Sequence, residues 1–228
     1  MSPAAIIRRA QEAGLDAIAV TDHNSAVNGF IAAEIGRKNG LQVFYGMEAQ
    51  TREDVHILCL FQERRQAERF NERIYELLPD VRNNAGFFGD QVVVDEQDNI
   101  VRHEEKLLLN SLGASIPELL ELVRQHQGFA IPAHVEAPPF GLLVNLGMVP
   151  AELEGSVMEI SWASMREDVL KAFPGLRRHP LVSNSDAHYL KDIGRARILL
   201  DGPAASLAEL VAGMLAGTFQ VAYPGSHG

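Results

Sequence analysis

The sequence predicts an α/β fold, on three observations. Short apolar runs of strand length alternate along the chain with longer segments whose apolar residues recur at helical spacing. Gly, Asn or Pro stands at many of the junctions, where the backbone has to turn. Several of the apolar runs end in His, Asp or Glu, as expected where the C-terminal ends of strands share one functional face.

Taken in order, Ser2 caps and Pro3 opens a helix that Gly14 ends. Residues 16–20 form a short strand with Thr21-Asp22-His23-Asn24 at its C-terminal end. A helix over 26–38 follows, closed by Asn39-Gly40, and then a strand over 41–45 that runs out at Gly46-Met47-Glu48. The strand over 55–61 has His56 near its beginning, and Phe70, Ile74, Leu77 and Leu78 mark a helix over 66–78. The middle is less regular: residues 80–103 read as a small inserted hairpin or lid. Helices over 104–112 and 116–127 are expected after it, the second capped by Ser115 with Pro117 near its start. A strand over 129–134 ends in His134, followed by a short helix over 142–147, a strand over 157–162 and a helix over 165–173. The apolar run 180–183 reads as a buried strand leading into Asn184-Ser185-Asp186-Ala187-His188. A strand over 196–200 and a helix begun by Ser206 and Glu209 in a capping-box pattern come last. Alternating elements imply parallel pairing with right-handed crossovers, in one domain over 1–228.

With 228 residues and 46% hydrophobic content, the chain can bury a full core. Its formal charge of −10 argues against sequence-independent affinity for extended nucleic acid or an anionic membrane. A single cysteine, Cys59, excludes an internal disulfide or a thiolate metal cluster, and its apolar surroundings mark it as a buried small hydrophobe. No signal peptide or membrane-length apolar run is visible. The expectation is a cytoplasmic protein.

The chemistry-bearing residues cluster at predicted strand ends. In an extended strand, residues two apart share a face, so Asp186 and His188 aim a carboxylate and an imidazole at one point. A hard oxygen beside a borderline nitrogen suits a divalent metal ion. His23, Glu48 and His134 belong to the same predicted face, and His56 has to enter it after the turn at 50–54. Each has a plainer alternative: a capping or solvent-facing loop residue for His23, a turn carboxylate for Glu48, a satisfied core imidazole for His56 or His134. Asp22 points away from its neighbour in a strand and is read as orienting it by a hydrogen bond. His103, His126, His179 and His227 read as solvated surface. Five ligand types at strand ends on one face favour a metal site over coincidence. Phosphate loops, dinucleotide turns, nucleophile elbows and His-Glu-x-x-His helices are all absent.

As a pattern, Thr21-Asp22-His23-Asn24, Gly46-Met47-Glu48, Val55-His56-Ile57, Pro132-Ala133-His134 and Ser185-Asp186-Ala187-His188 resemble the PHP (polymerase and histidinol phosphatase) family. The look is that of its bacterial phosphoesterase-like branch. The resemblance implies a distorted (β/α)7 barrel holding up to three Mn, Fe or Zn ions and hydrolysing phosphate mono- or diesters. It implies that Glu48 bridges two metals, with His56 and His134 completing one site. Asp186 would serve a second metal and His23 with His188 a third, with Asp22 behind the ligands. Catalytic weight would fall on Glu48, Asp186 and His188.

The family's first strand and its His-x-His motif have no counterpart ahead of Ser2-Pro3, so fewer than three well-occupied metals are expected. Arg195 and Arg197 are candidate phosphate contacts, set against the plainer reading of a solvated strand flank, which also applies to Arg166. The first functional expectation is a metal-dependent phosphoesterase acting on a small phosphorylated substrate or short nucleotide. The alternative is a catalytically inactive metal-binding or regulatory domain; hydrolysis of another bond is a weaker third. Unpaired strand edges would favour a homo-oligomer.

Overall fold

The structure, a computed structural model, describes residues 1–202 and 206–223; His227 lies outside them. The elements run α1 (Pro3–Glu12), β1 (Ala17–Val20), α2 (Val27–Asn39), β2 (Gln42–Gln50), β3 (His56–Phe61) and α3 (Arg64–Leu77). They continue as α4 (Ala85–Phe88), β4 (Val92–Val94), β5 (Ile100–His103), α5 (Ile116–Gln125), β6 (Phe129–Pro132) and α6 (Leu142–Leu146). The last are β7 (Met158–Glu159), α7 (Arg166–Ala172), β8 (Leu181–Val182), β9 (Arg197–Leu200), α8 (Leu207–Ala216) and β10 (Phe219–Ala222). Helix starts follow the capping chemistry of the sequence: the Ser2 hydroxyl accepts from the Ala5 N–H, and Ser115/Glu118 and Ser206/Glu209 form capping boxes.

The central sheet has the order β1-β2-β3-β6. β1 and β2 pair in parallel, whereas β2–β3 and β3–β6 are antiparallel. That corrects the expectation of parallel pairing throughout. The cause is the connection: the Thr51 N–H bonds the Val55 carbonyl and Asp54 takes a positive φ of 57°, so the chain turns straight back without a crossover helix. β3 therefore runs against its neighbours, and its first residue, His56, lies at the end where β1, β2 and β6 finish. The sheet continues toward the parallel pair β7–β8 through the Val135 N–H on the Glu159 carbonyl, 2.9 Å. Among the described residues the strands form separate sheets, including the β4–β5 hairpin and an antiparallel β9–β10 pair joined through α8, and no closed barrel.

Strand alternation sorts the core. Met47, Ala49, Ile57, Cys59 and Phe61 face α3 and α5, packing against Phe70, Ile74, Leu119 and Val123. The opposite face carries Phe44, Leu60, Ile131 and Val182, which are covered by Leu207 and Met214 of α8. Glu48 and His56 belong to this second face, in step with Phe44 and Leu60, so this face is apolar along most of its length and ligand-bearing at one end. Cys59 is buried as expected, and burial pushes its thiol pKa up.

Two further expectations change, those for residues 104–112 and for His179. Residues 104–112 are not helical, because their polar groups are used elsewhere. The Asn24 side-chain amide donates to the Leu108 and Asn110 carbonyls, the Leu108 N–H to Gln91, and the Lys106 ammonium to the Tyr75 and Leu78 carbonyls. The 80–103 excursion contains α4 and the β4–β5 hairpin, anchored on α2 by Asn28, which bonds the backbone of Val92 and Val94. His179 is not solvated surface: it is buried, with Nδ1 3.0 Å from the Ser156 carbonyl oxygen. No helix among the described residues is long and apolar enough to cross a membrane.

Candidate metal centre

Glu48 is the hub. It sits near the end of β2, 8% exposed, and a bridge between His23 and Glu48 prolongs the β1–β2 pairing beyond β1. The backbone locks this junction: the Glu48 N–H donates to the Asp22 carbonyl and the Asn24 N–H to the Glu48 carbonyl, at 3.1 and 2.9 Å. Asp22 thus contributes its main chain to the centre, while its residue is exposed.

The two carboxylate oxygens face different imidazoles. Oε1 lies 3.3 Å from His56 Nδ1 and 3.4 Å from His134 Nε2, and those two nitrogens are 3.3 Å apart. Oε2 lies 3.2 Å from His23 Nδ1. Ligand atoms of His23, Glu48 and His56 all fall within 4.8 Å of one another. The near-equilateral triangle on Oε1 has a physical reading. Donors held about 2.0–2.1 Å from a tetrahedral ion are separated by roughly 3.3–3.4 Å, so the triangle has the size of one face of such a site.

Neighbouring groups hold the donors in place. His56 Nε2 is 3.3 Å from Gln50 Oε1, and its ring stacks on Phe140 with centroids 4.3 Å apart. The His56 N–H bonds the Phe140 carbonyl at 3.1 Å, fixing the 135–141 loop against the start of β3. His134 takes a φ of 31°, Asn24 one of 49° and Asp186 one of 42°. Three of the six non-glycine residues with positive φ among the described residues therefore lie in the segments that carry the candidate ligands.

The electrostatics follow from burial and crowding. Burial acts to push the Glu48 carboxyl up, but hydrogen bonds and charge from His134 and His56 outweigh it and hold the group well below the usual carboxylate range. Burial pushes His23 down more than Glu48 pushes it up. For His134 the balance reverses, and Glu48 overcomes burial to hold the imidazole above its ordinary value.

Asp186 and His188 lie within electrostatic reach of His23, by a route the strand rule does not describe. β8 ends at Val182, and the positive φ of Asp186 breaks the extended geometry on which the two-apart argument rests. The pair still meets, His188 Nδ1 lying 3.6 Å from an Asp186 carboxylate oxygen, and both charges act on His23. Arg195 clamps this turn, donating from Nε to the Ser185 carbonyl at 2.5 Å and from Nη2 to the Asp186 carbonyl at 2.6 Å. Arg197 donates to the Ala13 carbonyl just after α1, at 3.0 Å. Arg166 donates to the Leu181 carbonyl, also at 3.0 Å.

One site residue escaped the sequence reading. Glu159 ends β7, is 4% exposed, and accepts from the His134 N–H at 3.3 Å and the Asn184 amide at 2.8 Å. Burial raises its carboxyl to about 7, with the Asn184 hydrogen bond opposing and the Glu48 charge adding. The signal was the one already used for Glu48, a carboxylate closing an apolar strand.

The PHP domain family model matches residues 1–136, and a model described as PHP-associated matches residues 175–219. No curated protein sequence matches the chain. Among solved structures, a lesion-specific endonuclease from Pyrococcus furiosus aligns with a TM-score of 0.62 at 18% identity, over 95% of this chain and 52% of its own. The chain thus spans about half the length of that enzyme. A candidate metal-dependent phosphoesterase from Bifidobacterium adolescentis aligns with a TM-score of 0.52 at 17% identity, over 82% of each chain. An amidohydrolase from Chromobacterium violaceum aligns with a TM-score of 0.52 at 15% identity, over 99% of this chain and 94% of its own. At these identities the likeness is one of fold. The family match covers more than half of the 228 residues, and the chain belongs to the PHP domain family.

Proposed function

We propose that this chain is a metal-dependent phosphoesterase whose centre is organised by Glu48 as a bridging carboxylate. Its family is one of metal-dependent hydrolases; the ester specificity and the residue roles are our reading. The observation that carries it is the division of Glu48. Oε1 completes a donor triangle with His56 and His134, and Oε2 faces His23. A carboxylate addressed by imidazoles on both oxygens fits two ions better than one. The nitrogen and oxygen donor set suits Mn, Fe or Zn.

Divalent ions held by His23, Glu48, His56 and His134 would supply a water of lowered pKa and would neutralise charge on the phosphoryl oxygens. The protein's share is orientation. Gln50 and Phe140 fix the His56 ring, Glu159 holds the His134 backbone, and Arg195 fixes the Ser185–Asp186 turn that carries Asp186 and leads to His188. His23 with Glu48 Oε2 forms the second donor group, which Asp186 and His188 extend. Asp22 supports it through its carbonyl. Arg195 is engaged by the Ser185 and Asp186 carbonyls and the Asp192 carboxylate, and Arg197 by the Ala13 carbonyl, so phosphate neutralisation would fall mainly to the metals.

The substrate we favour is a small phosphoester or short nucleotide, because a formal charge of −10 opposes long anionic polymers. The fold shared with an endonuclease makes duplex DNA the comparison substrate. The deciding experiment measures metal per chain on gently purified protein. It then measures turnover of p-nitrophenyl phosphate and bis-p-nitrophenyl phosphate with added Mn²⁺, beside H134A. Bound metal with turnover lost in H134A supports the proposal. Bound metal without turnover on any phosphoester would make the chain a metal-binding domain instead.

A further inference from the structure

Trp162, the only tryptophan of the chain, lies three residues beyond Glu159 and is 39% exposed. One face of its indole is covered by Arg195, whose guanidinium carbon is 3.9 Å from the ring centroid. That is close contact for a cation on an aromatic face. The same guanidinium holds the Ser185 and Asp186 carbonyls, so the indole stands next to the turn that presents Asp186 and His188. The backbone beneath it is fixed as well: the Ser161 N–H donates to Glu136 and the Ala163 N–H to the Ser161 hydroxyl. An indole covered on one face by Arg195 and 39% exposed in all keeps part of its surface free, and its fixed backbone lowers the entropy cost of using it in binding. Its place beside the Ser185–Asp186 turn would put a flat ring stacked on it next to a phosphoester bound at the candidate centre.

We infer that Trp162, backed by Arg195, is a stacking platform that selects phosphoesters carrying a planar aromatic ring, a nucleobase or an aryl group, over ring-free esters. This rests on the phosphoesterase reading and narrows its substrate class. Arg195 acts as a positioning residue that ties platform and Asp186 turn into one unit. Stacking on aromatic side chains is tolerant of ring identity because every base presents a π-face.

Because Trp162 is the sole tryptophan, its fluorescence reports the platform directly, without turnover. The test titrates the full chain, with Mn²⁺ present, with adenosine 5′-monophosphate and in parallel with ribose 5-phosphate. The expected result is saturable quenching by the ring-bearing ester that ribose 5-phosphate does not reproduce. Affinity for adenosine 5′-monophosphate by calorimetry should fall about tenfold to a hundredfold in W162A, with W162F in between. In turnover, the ratio of kcat/KM for p-nitrophenyl phosphate to that for ribose 5-phosphate should drop by a similar factor in W162A, mainly through KM. Equal quenching by both esters, absence of quenching up to millimolar nucleotide, or an unchanged affinity and ratio in correctly folded W162A would overturn the inference. If no phosphoester is hydrolysed, the fluorescence and calorimetry still decide the platform, and only the phosphoesterase reading fails.

Discussion

His56 Nδ1 lies 3.3 Å from Glu48 Oε1, although Glu48 stands near the end of β2 and His56 at the start of β3. The antiparallel return brings them together, with His56 paired opposite Gln50 and Glu48 opposite Leu58, so both side chains leave the same face of the ladder. A five-residue turn thereby does what a crossover helix does elsewhere in the fold.

The division of Glu48 between two donor groups makes a specific prediction about metal content. E48A should lose metal from both groups, whereas H23A should spare the His56/His134 group and H134A the His23 group. Elemental analysis of the three purified variants, side by side, reads this directly. Full metal content in E48A would remove the bridging role altogether.

Glu159 makes the second prediction, since it is buried and holds the His134 N–H and the Asn184 amide together. Outer partners of ligands commonly matter by 10- to 100-fold in metal affinity. E159A should therefore weaken Mn²⁺ binding by about that factor, and E159Q by less, because an acceptor oxygen survives. Competition with a chromophoric chelator gives the constants. Wild-type affinity in a folded E159A would show that Glu159 is only packing.

How far the sequence could be read follows from what each residue depends on. His23, Glu48 and His134 were legible because their place requires only that an apolar run ends in a polar ligand. Glu159 meets the same rule, but Ile160 and Trp162 extend the apolar run beyond it in the sequence, whereas the strand stops at Glu159. Residues 104–112 looked helical by propensity, yet Asn24, Gln91 and Lys106 satisfy their environment by long-range bonds that no local pattern contains. Asp186 and His188 lie side by side as their spacing suggests, but the geometry depends on a positive φ and an Arg195 clamp invisible in sequence. The direction of β3 was likewise open, because a turn from 51 to 55 fits a hairpin as well as an abbreviated crossover.

Gly141 gives the third prediction. A Cβ there would lie 2.5 Å from the Ala137 carbonyl oxygen and 2.8 Å from that of Val135, both backbone atoms of the loop that follows His134. Next to it, Phe140 stacks on His56 and accepts its N–H. G141A must shift this loop, at a cost of about 1–3 kcal/mol by analogy with overpacking. It should weaken metal binding as well, because the shift reaches His56. Urea unfolding with and without Mn²⁺ separates the two effects; unchanged values in both would show that the loop relaxes freely.

Phe70 supplies a stability prediction remote from the ligands. It is fully buried, its ring centroid 4.8 Å from that of Phe61, on the helix-covered face of the sheet. F70A should cost about 3–5 kcal/mol, the usual range for deleting a buried aromatic. Metal stoichiometry in the surviving folded fraction should hold, since Phe61 and Phe70 occupy the face opposite Glu48. A selective loss of metal in F70A, without the loss in stability, would contradict this partition of the core.

Metal removal itself should be visible as a thermal shift. The candidate ligands come from β2, β3 and the residues just after β1, β6 and β8, so an ion held among them binds the folded chain and not the dispersed one. Free metal at a hundred times its dissociation constant then adds about 2.7 kcal/mol to stability. For a chain of this length, each kcal/mol moves the midpoint by about 2–4 °C, so chelation should lower Tm by about 5–10 °C. Scans of chelated protein, repeated after Mn²⁺ is restored, measure the shift and its reversal. E48A provides the control: without its bridging carboxylate the chain should melt at nearly the same temperature in both conditions. A wild-type Tm indifferent to chelator and to added Mn²⁺ would mean that the cluster around Glu48 binds no ion strongly enough to matter to the fold.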